Sequence, residues 1–277
     1  MKVKPKAMVL TGYGINCDYE TATACEIAGF ESKRIHLNDA IASSRELFDY
    51  KLIVFPGGFS FGDDLGSGVA FSAKVRFSLA RDGGRLYDYI MDYVERGGIM
   101  LGICNGFQIL VRLGVIPAIG GRYGEQQVTL APNREGYYID RWVNLRVEGL
   151  SRCVFTAGMS TLRLPVRHGE GRLLAEKHDV IINMEHNGQV CLRYCDENFD
   201  PTDRFPENPN GSMVAIAGLC DPSGRIFGLM PHPEAAVSLY QYPHWTRLRE
   251  EARRNKTPLD ERGYGYLIFK NAYDYVK

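Results

Sequence analysis

The stretch Ile-Met-Leu-Gly-Ile-Cys-Asn-Gly-Phe-Gln-Ile-Leu-Val, residues 99–111, constrains this chain more than any other. An apolar run meets Gly-x-Cys-x-Gly and resumes as a second apolar run. That pattern predicts a buried strand, a sharp turn and a helix, with Cys104 at the turn: a cysteine version of the nucleophile elbow. Gly102 and Gly106 permit a tight backbone and a close approach by substrate. The free N–H groups and dipole of the new helix favour a thiolate, and any oxyanion formed beside it. An isolated buried cysteine is ordinarily a small apolar residue, so Cys104 becomes a nucleophile only if a base accompanies it.

Gly228-Leu229-Met230-Pro231-His232-Pro233-Glu234 supplies that base. Two prolines are expected to hold the segment extended, with His232 and Glu234 on one side. His232 would take the thiol proton, and Glu234 would fix the imidazole's tautomer and orientation. A third element is Lys51-Leu52-Ile53-Val54-Phe55 followed by Pro56-Gly57-Gly58-Phe59-Ser60. A strand ending in paired glycines can present the Gly57-Gly58 backbone to the site. With the Asn105 N–H it would form an oxyanion hole, where losing one donor costs about 10²–10³ in rate.

Around these turns the pattern is α/β. Ala7-Met8-Val9-Leu10 reads as a first strand, and a helix follows Asp18 and ends near Gly29. Strands near 33–37, 51–55 and 98–103 alternate with helical stretches near 64–80, 84–96 and 105–113. Apolar strands separated by helices predict an open, mostly parallel, flavodoxin-like sheet with helices on both faces. The functional turns then fall at strand carboxyl ends, where such sheets hold ligands. Val128-Thr129-Leu130, Trp142 to Val147 and Val190 to Tyr194 read as added antiparallel strands beside the main sheet. With no repeat and no low-complexity linker, residues 1–277 are read as a single domain.

Composition excludes several classes. Thirty-three basic residues balance thirty-three acidic ones, so no global field favours nucleic acid or an anionic membrane. No run approaches the ~20 apolar residues of a membrane span, and no signal segment follows the basic start. The chain reads as soluble and cytoplasmic. Seven scattered cysteines argue against a disulfide framework. Cys191 and Cys195 lack a second ligand pair, so no metal site is expected. Asn210-Gly211-Ser212 reads as a tight turn.

Gly-x-Cys-x-Gly-x-Gln, the upstream Pro-Gly-Gly and the downstream His-Pro-Glu resemble the class I, triad-type glutamine amidotransferases. Further blocks narrow the likeness to the glutaminase subunit of phosphoribosylformylglycinamidine synthase: Gly14 to Asp18, Pro56 to Asp63, Pro165 to Gly171, Asn208 to Ser212 and Ile216 to Gly218. The blocks run collinearly from about residue 7 to 237, and a last helix from about 264 also fits. The resemblance implies hydrolysis of L-glutamine to glutamate and ammonia by Cys104, His232 and Glu234, with Gln108 holding the substrate's amino-acid end. It implies that the ammonia passes to a large synthetase subunit, with a small subunit bridging the two. That synthetase would use ATP and magnesium to convert formylglycinamide ribonucleotide to formylglycinamidine ribonucleotide in purine synthesis. No phosphate loop or acidic metal cluster is evident here, so no cofactor is expected on this chain.

Segments near 74–85 and 238–262 exceed the usual length of that subunit. The second, rich in arginine and glutamate, reads as a solvated helix or a docking element. Gly66 and Ser67 stand where the family often has a bulkier basic residue. His168 and Glu170 are expected in a surface loop or partner contact. Two competing classes are a related cysteine amidase or protease and a non-catalytic binding module. The first typically places His after the nucleophile, where this chain has Asn105; the second has no use for Cys104, His232 and Glu234 together.

Overall fold

The computed structural model describes residues 3–277. The chain runs through β1 (Lys6–Thr11), α1 (Asp18–Ala28), β2 (Glu31–His36), α2 (Leu37–Ala42), β3 (Leu52–Phe55), α3 (Val69–Phe77), α4 (Leu86–Glu95), β4 (Ile99–Ile103) and α5 (Asn105–Arg112). It continues with β5 (Val128–Pro132), β6 (Ile139–Val147), β7 (Thr161–His168), β8 (Glu170–Ala175), α6 (His178–His186), β9 (Val190–Cys195), β10 (Ile216–Cys220), β11 (Ile226–Leu229), α7 (Trp245–Asn255) and α8 (Tyr264–Val276).

Among the described residues one nine-stranded sheet has the order β2-β1-β3-β4-β11-β10-β9-β6-β7. From β2 to β11 every pairing is parallel, and from β11 to β7 every pairing is antiparallel. The parallel half has the 2-1-3-4-5 order of flavodoxin-like sheets. Every residue of β3, β4 and β11 is buried. Successive side chains in a strand point to opposite faces, so the sheet must be covered on both. Helices α1 and α8 pack together, and α3, α4 and α5 form a second group.

Several expected boundaries shift, each for a local reason. The helix expected over 64–80 begins only at Val69, because Gly66 (φ 96°) and Gly68 (φ 73°) hold left-handed turns before it. The strand around Val128-Thr129-Leu130 does not join the main sheet; it pairs with β8 as a separate two-stranded ribbon. The 74–85 segment is a turn closed by a Leu79–Arg85 bridge after α3 ends. The 238–262 segment returns on itself through a Ser238–Arg262 bridge, and its helix α7 buries no residue. Its Arg247–Glu251, Glu250–Arg253 and Glu250–Arg254 pairs form a solvated charge ladder.

Parallel register brings the carboxyl ends of β3, β4 and β11 together, with Phe55 beside Gly102 and Gly228 beside Gly102 on its other side. The close fit there depends on missing side chains. A Cβ at Gly106 would overlap the Phe55 carbonyl oxygen of β3, and one at Gly228 would run into the Phe107 ring. Gly106→Ala should therefore destabilise the fold by about 3 kcal/mol, the upper part of the usual range for overpacking. Denaturant unfolding checks this; an unchanged midpoint would mean that α5 does not need this contact with β3.

Candidate active site

Cys104 occupies the turn between β4 and α5 with φ 51° and ψ −105°, a positive-φ backbone that non-glycine residues seldom adopt. The turn is over-determined by its neighbours. The Cys104 N–H donates to the Leu229 carbonyl at 2.8 Å, and a Cβ at Gly102 would lie 2.8 Å from the Gly106 carbonyl oxygen. Its Sγ donates to the Arg167 carbonyl at 3.7 Å, so β7 also fixes the thiol's direction. Strain held this firmly marks sites where geometry serves chemistry.

His232 follows β11, and its own N–H donates to the Pro165 carbonyl of β7 at 2.8 Å. Its backbone is extended, but the extended run ends there: Pro233–Ala236 is a 3₁₀ turn. This corrects the expectation of an extended His-Pro-Glu. Pro233 sits at the first helical position, where its fixed φ suits a turn, and the curl brings the Glu234 carboxylate back to the imidazole. Glu234 Oε1 lies 2.5 Å from His232 Nδ1, and both side chains are almost wholly buried. Gly265 lets α8 press on this turn, since a Cβ there would collide with the Pro233 carbonyl. His232 Nε2 and Glu234 Oε2 are buried without a hydrogen-bond partner. Burial pushes the imidazole pKa down, but the Glu234 carboxylate, the Cys104 thiol and the Cys17 thiol together hold it well above the ordinary value.

Two thiols thus flank one base. Cys17, in the loop between β1 and α1, places Sγ 4.0 Å from His232 Nδ1. The family block Gly14 to Asp18 contains it, but nothing in the sequence gave it a role. The visible signal is its place at the carboxyl end of a parallel strand, the same edge as the other functional turns. Cys17 addresses the nitrogen already held by Glu234, and burial raises its own pKa. Cys104 has the strained elbow, and Nε2 is the ring nitrogen that Glu234 leaves unpaired.

The Pro56-Gly57-Gly58 turn meets the base directly. A Cβ on Gly57 would stand 2.8 Å from His232 Cε1 and 3.3 Å from Cys17 Sγ. Gly58 (φ 152°) bridges to Ile15, and Phe59 N–H and Gly57 C=O bond to Gly14 and Cys17 at 2.8 and 3.2 Å. The turn is therefore tied to the 12–17 loop through backbone bonds. The N–H groups of Gly58 and Asn105 form no hydrogen bond among the described residues. Gln108 is no helix-surface residue: it is buried, its oxygen accepts from Asn105 Nδ2 at 3.0 Å, and its nitrogen donates to the Glu170 carbonyl at 2.7 Å. One amide hydrogen and one lone pair of Gln108 are not used by these two bonds. Asp63 also reaches Asn105 Nδ2, at 3.4 Å, and accepts from Ser67 Oγ at 2.9 Å. Arg112 of α5 crosses to the Gly66-Ser67 stretch and donates to the Ser67 carbonyl at 2.8 Å.

His168 and Glu170 do not lie in a surface loop. His168 ends β7, is buried, and pairs Nδ1 with Asn133 Oδ1 at 3.0 Å. Its other nitrogen faces Asn210 Nδ2 at 3.5 Å, within a buried turn that Ser212 and Asn208 complete. Glu170 begins β8 and accepts from the Ser67 N–H at 3.2 Å. The 165–171 block is thus the wall of the site: its backbone holds Cys104, His232 and Gln108, which a sequence pattern of side chains does not reveal.

Residues 4–276 match the CobB/CobQ-like glutamine amidotransferase domain. The phosphoribosylformylglycinamidine synthase subunit PurQ of Methanococcus maripaludis is 42% identical over 277 residues, 99% of this chain and 98% of that protein. The chain belongs to this PurQ family of glutamine amidotransferases. It is the glutaminase subunit of phosphoribosylformylglycinamidine synthase, in purine biosynthesis. The PurQ of Dehalococcoides mccartyi is 39% identical over 99% of this chain and 98% of its own length. A chain from the structure of PurLQS from Thermotoga maritima superimposes with a TM-score of 0.70 at 32% identity, covering 99% of this chain and all of that one. No helix among the described residues is long and apolar enough to cross a membrane.

Burial holds the His168 pKa down to about 3. In the unfolded chain it would take a proton near its ordinary value, about 6.5. Between those values the unfolded state binds more protons, so stability falls as pH drops from about 6.5 toward 3. His168→Gln should make that fall shallower, by up to about 1.4 kcal/mol per pH unit. Unfolding at several pH values measures the slope, whatever the variant's absolute stability. Parallel slopes would mean that His168 is not buried in neutral form.

Proposed function

We propose that Cys104 is the nucleophile, His232 its base through Nε2, and Glu234 the group that orients the imidazole through Nδ1. One observation carries this reading: a buried imidazole clamped by a carboxylate on one nitrogen, with the other unpartnered, beside a thiol on a strained elbow. The thiolate adds to the amide carbonyl of L-glutamine, and the Gly58 and Asn105 N–H groups hold the oxyanion. The C–N bond breaks as His232 returns the proton to the departing ammonia. Water then adds to the thioester, and glutamate leaves. Gln108 braces Asn105 against β8, and its remaining amide hydrogen is offered to the amino-acid end of the substrate.

The likeness to a chain solved within PurLQS supports a large synthetase subunit and a small bridging subunit as partners. ATP, magnesium and the ribonucleotide are assigned to that synthetase, and ammonia is the product passed to it. The tie between the Gly57-Gly58 turn and the 12–17 loop gives docking a route to the site, since moving one displaces the other.

Glutamate release and amidine formation, measured with and without the synthetase, test this. Cys104→Ala should abolish glutamine-dependent synthesis, while ammonia at high concentration still supports it. His232→Ala should lose about 10⁴-fold or more and Glu234→Gln less, with the double variant little worse than His232→Ala. Multiplying defects would break the shared relay. The isolated chain should hydrolyse glutamine slowly, and synthetase with its substrates should raise the rate severalfold. A chain fully active alone, and indifferent to the synthetase, would contradict the coupling.

A further inference from the structure

Cys17, His232 and Glu234 each offer a donor atom within 4.8 Å of the others, and only Cys104 of the two thiols is needed for the proposed reaction. A thiolate, an imidazole and a carboxylate are a donor set suited to zinc. A second observation marks the place as unsatisfied: Glu234 Oε2 is buried with no hydrogen-bond partner. Cys17 is partly exposed while His232 and Glu234 are buried, so an ion has access from the Cys17 side. Zinc bonds of about 2.3 Å to sulfur and 2.0–2.1 Å to nitrogen or oxygen imply tetrahedral edges of about 3.3–3.6 Å. Cys17 Sγ and His232 Nδ1, at 4.0 Å, are close to that spacing, whereas Nδ1 and Glu234 Oε1, at 2.5 Å, must part to reach it as the ion takes the place of their hydrogen bond.

We propose that these three residues bind a thiophilic divalent cation of the zinc class, and that its binding switches the glutaminase off. The Cys17 thiol proton leaves to solvent, the Nδ1 proton that faced Glu234 is transferred through solvent to Nε2, and bonds form from the ion to Sγ, to Nδ1 and to a Glu234 oxygen. The Nδ1 lone pair is then on the metal, so the neutral imidazole carries its single proton on Nε2. An Nε2 that already holds a proton cannot accept one from Cys104, and Glu234 no longer orients the ring. The inhibitory half rests on the reading of Cys104, His232 and Glu234 given above; the binding half does not.

Cobalt(II), as a spectroscopic substitute for zinc, separates the two halves. Titrated into the full chain, it should give a sulfur-to-cobalt charge-transfer band and tetrahedral visible bands that zinc abolishes. The bands should survive in Cys104→Ala. They should be lost in Cys17→Ala, with metal affinity lower by about tenfold or more. Glu234→Gln, which keeps the side chain's size, should also weaken binding. No thiolate band, or one that persists in Cys17→Ala and vanishes in Cys104→Ala, would overturn the site. For the switch, zinc should lower glutamate release by the native chain, a chelator should restore it, and Cys17→Ala should resist. A native chain that binds the ion with its rate unchanged would overturn the inhibition while leaving the triad reading intact.

Discussion

The left-handed turn at Cys104 is the constraint on which the rest of the site depends. A non-glycine residue at φ 51° persists only where its surroundings leave no alternative. Here β11 holds its N–H, β7 holds its thiol, and α5 is pressed onto β3 at a glycine with no room for a methyl group. The parallel half of the sheet is what brings those elements into register. Fold and chemistry are therefore linked through a handful of backbone contacts at one sheet edge.

Electrostatics at that edge follow from burial. A histidine this deep would ordinarily remain neutral, as His168 does. His232 differs because a carboxylate and two thiols face it and hold its pKa well above the ordinary value despite burial. Glu234 achieves this from two residues away because a proline-initiated turn, braced by α8, folds the carboxylate back. The C-terminal helix, remote in sequence, thereby supports the His232–Glu234 pair.

Much of this was legible in the sequence, for identifiable reasons. The central parallel strands β3, β4 and β11 are fully buried, so they read as apolar runs, and the turns after them carry glycine, proline and the reactive side chains. Cys104, His232, Glu234 and the Gly57-Gly58 turn stood out in the sequence because the roles proposed for them demand particular residue types, and the fold brings them to one sheet edge. What stayed hidden depends on backbone atoms or on distance. The carbonyls of Pro165, Arg167 and Glu170 leave no signature in side-chain identity. Strands β7 and β8 belong to different sheets although one residue separates them, so that block gave no clear pattern. Cys17 becomes visible beside His232 only once β1 and β11 are placed at the same edge.

Because two thiols approach one imidazole, the central claim is that Cys104, not Cys17, forms the bond to substrate. The most direct measurement is the position of the adduct left by a glutamine-mimicking electrophile such as a diazo-ketone analogue, read by peptide mass spectrometry and with glutamine as competitor. A single adduct on Cys104 is expected, suppressed by glutamine, with Cys17 unmodified. An adduct on Cys17 with Cys104 untouched would contradict it, and would make the strained elbow a structural feature instead of the seat of the chemistry.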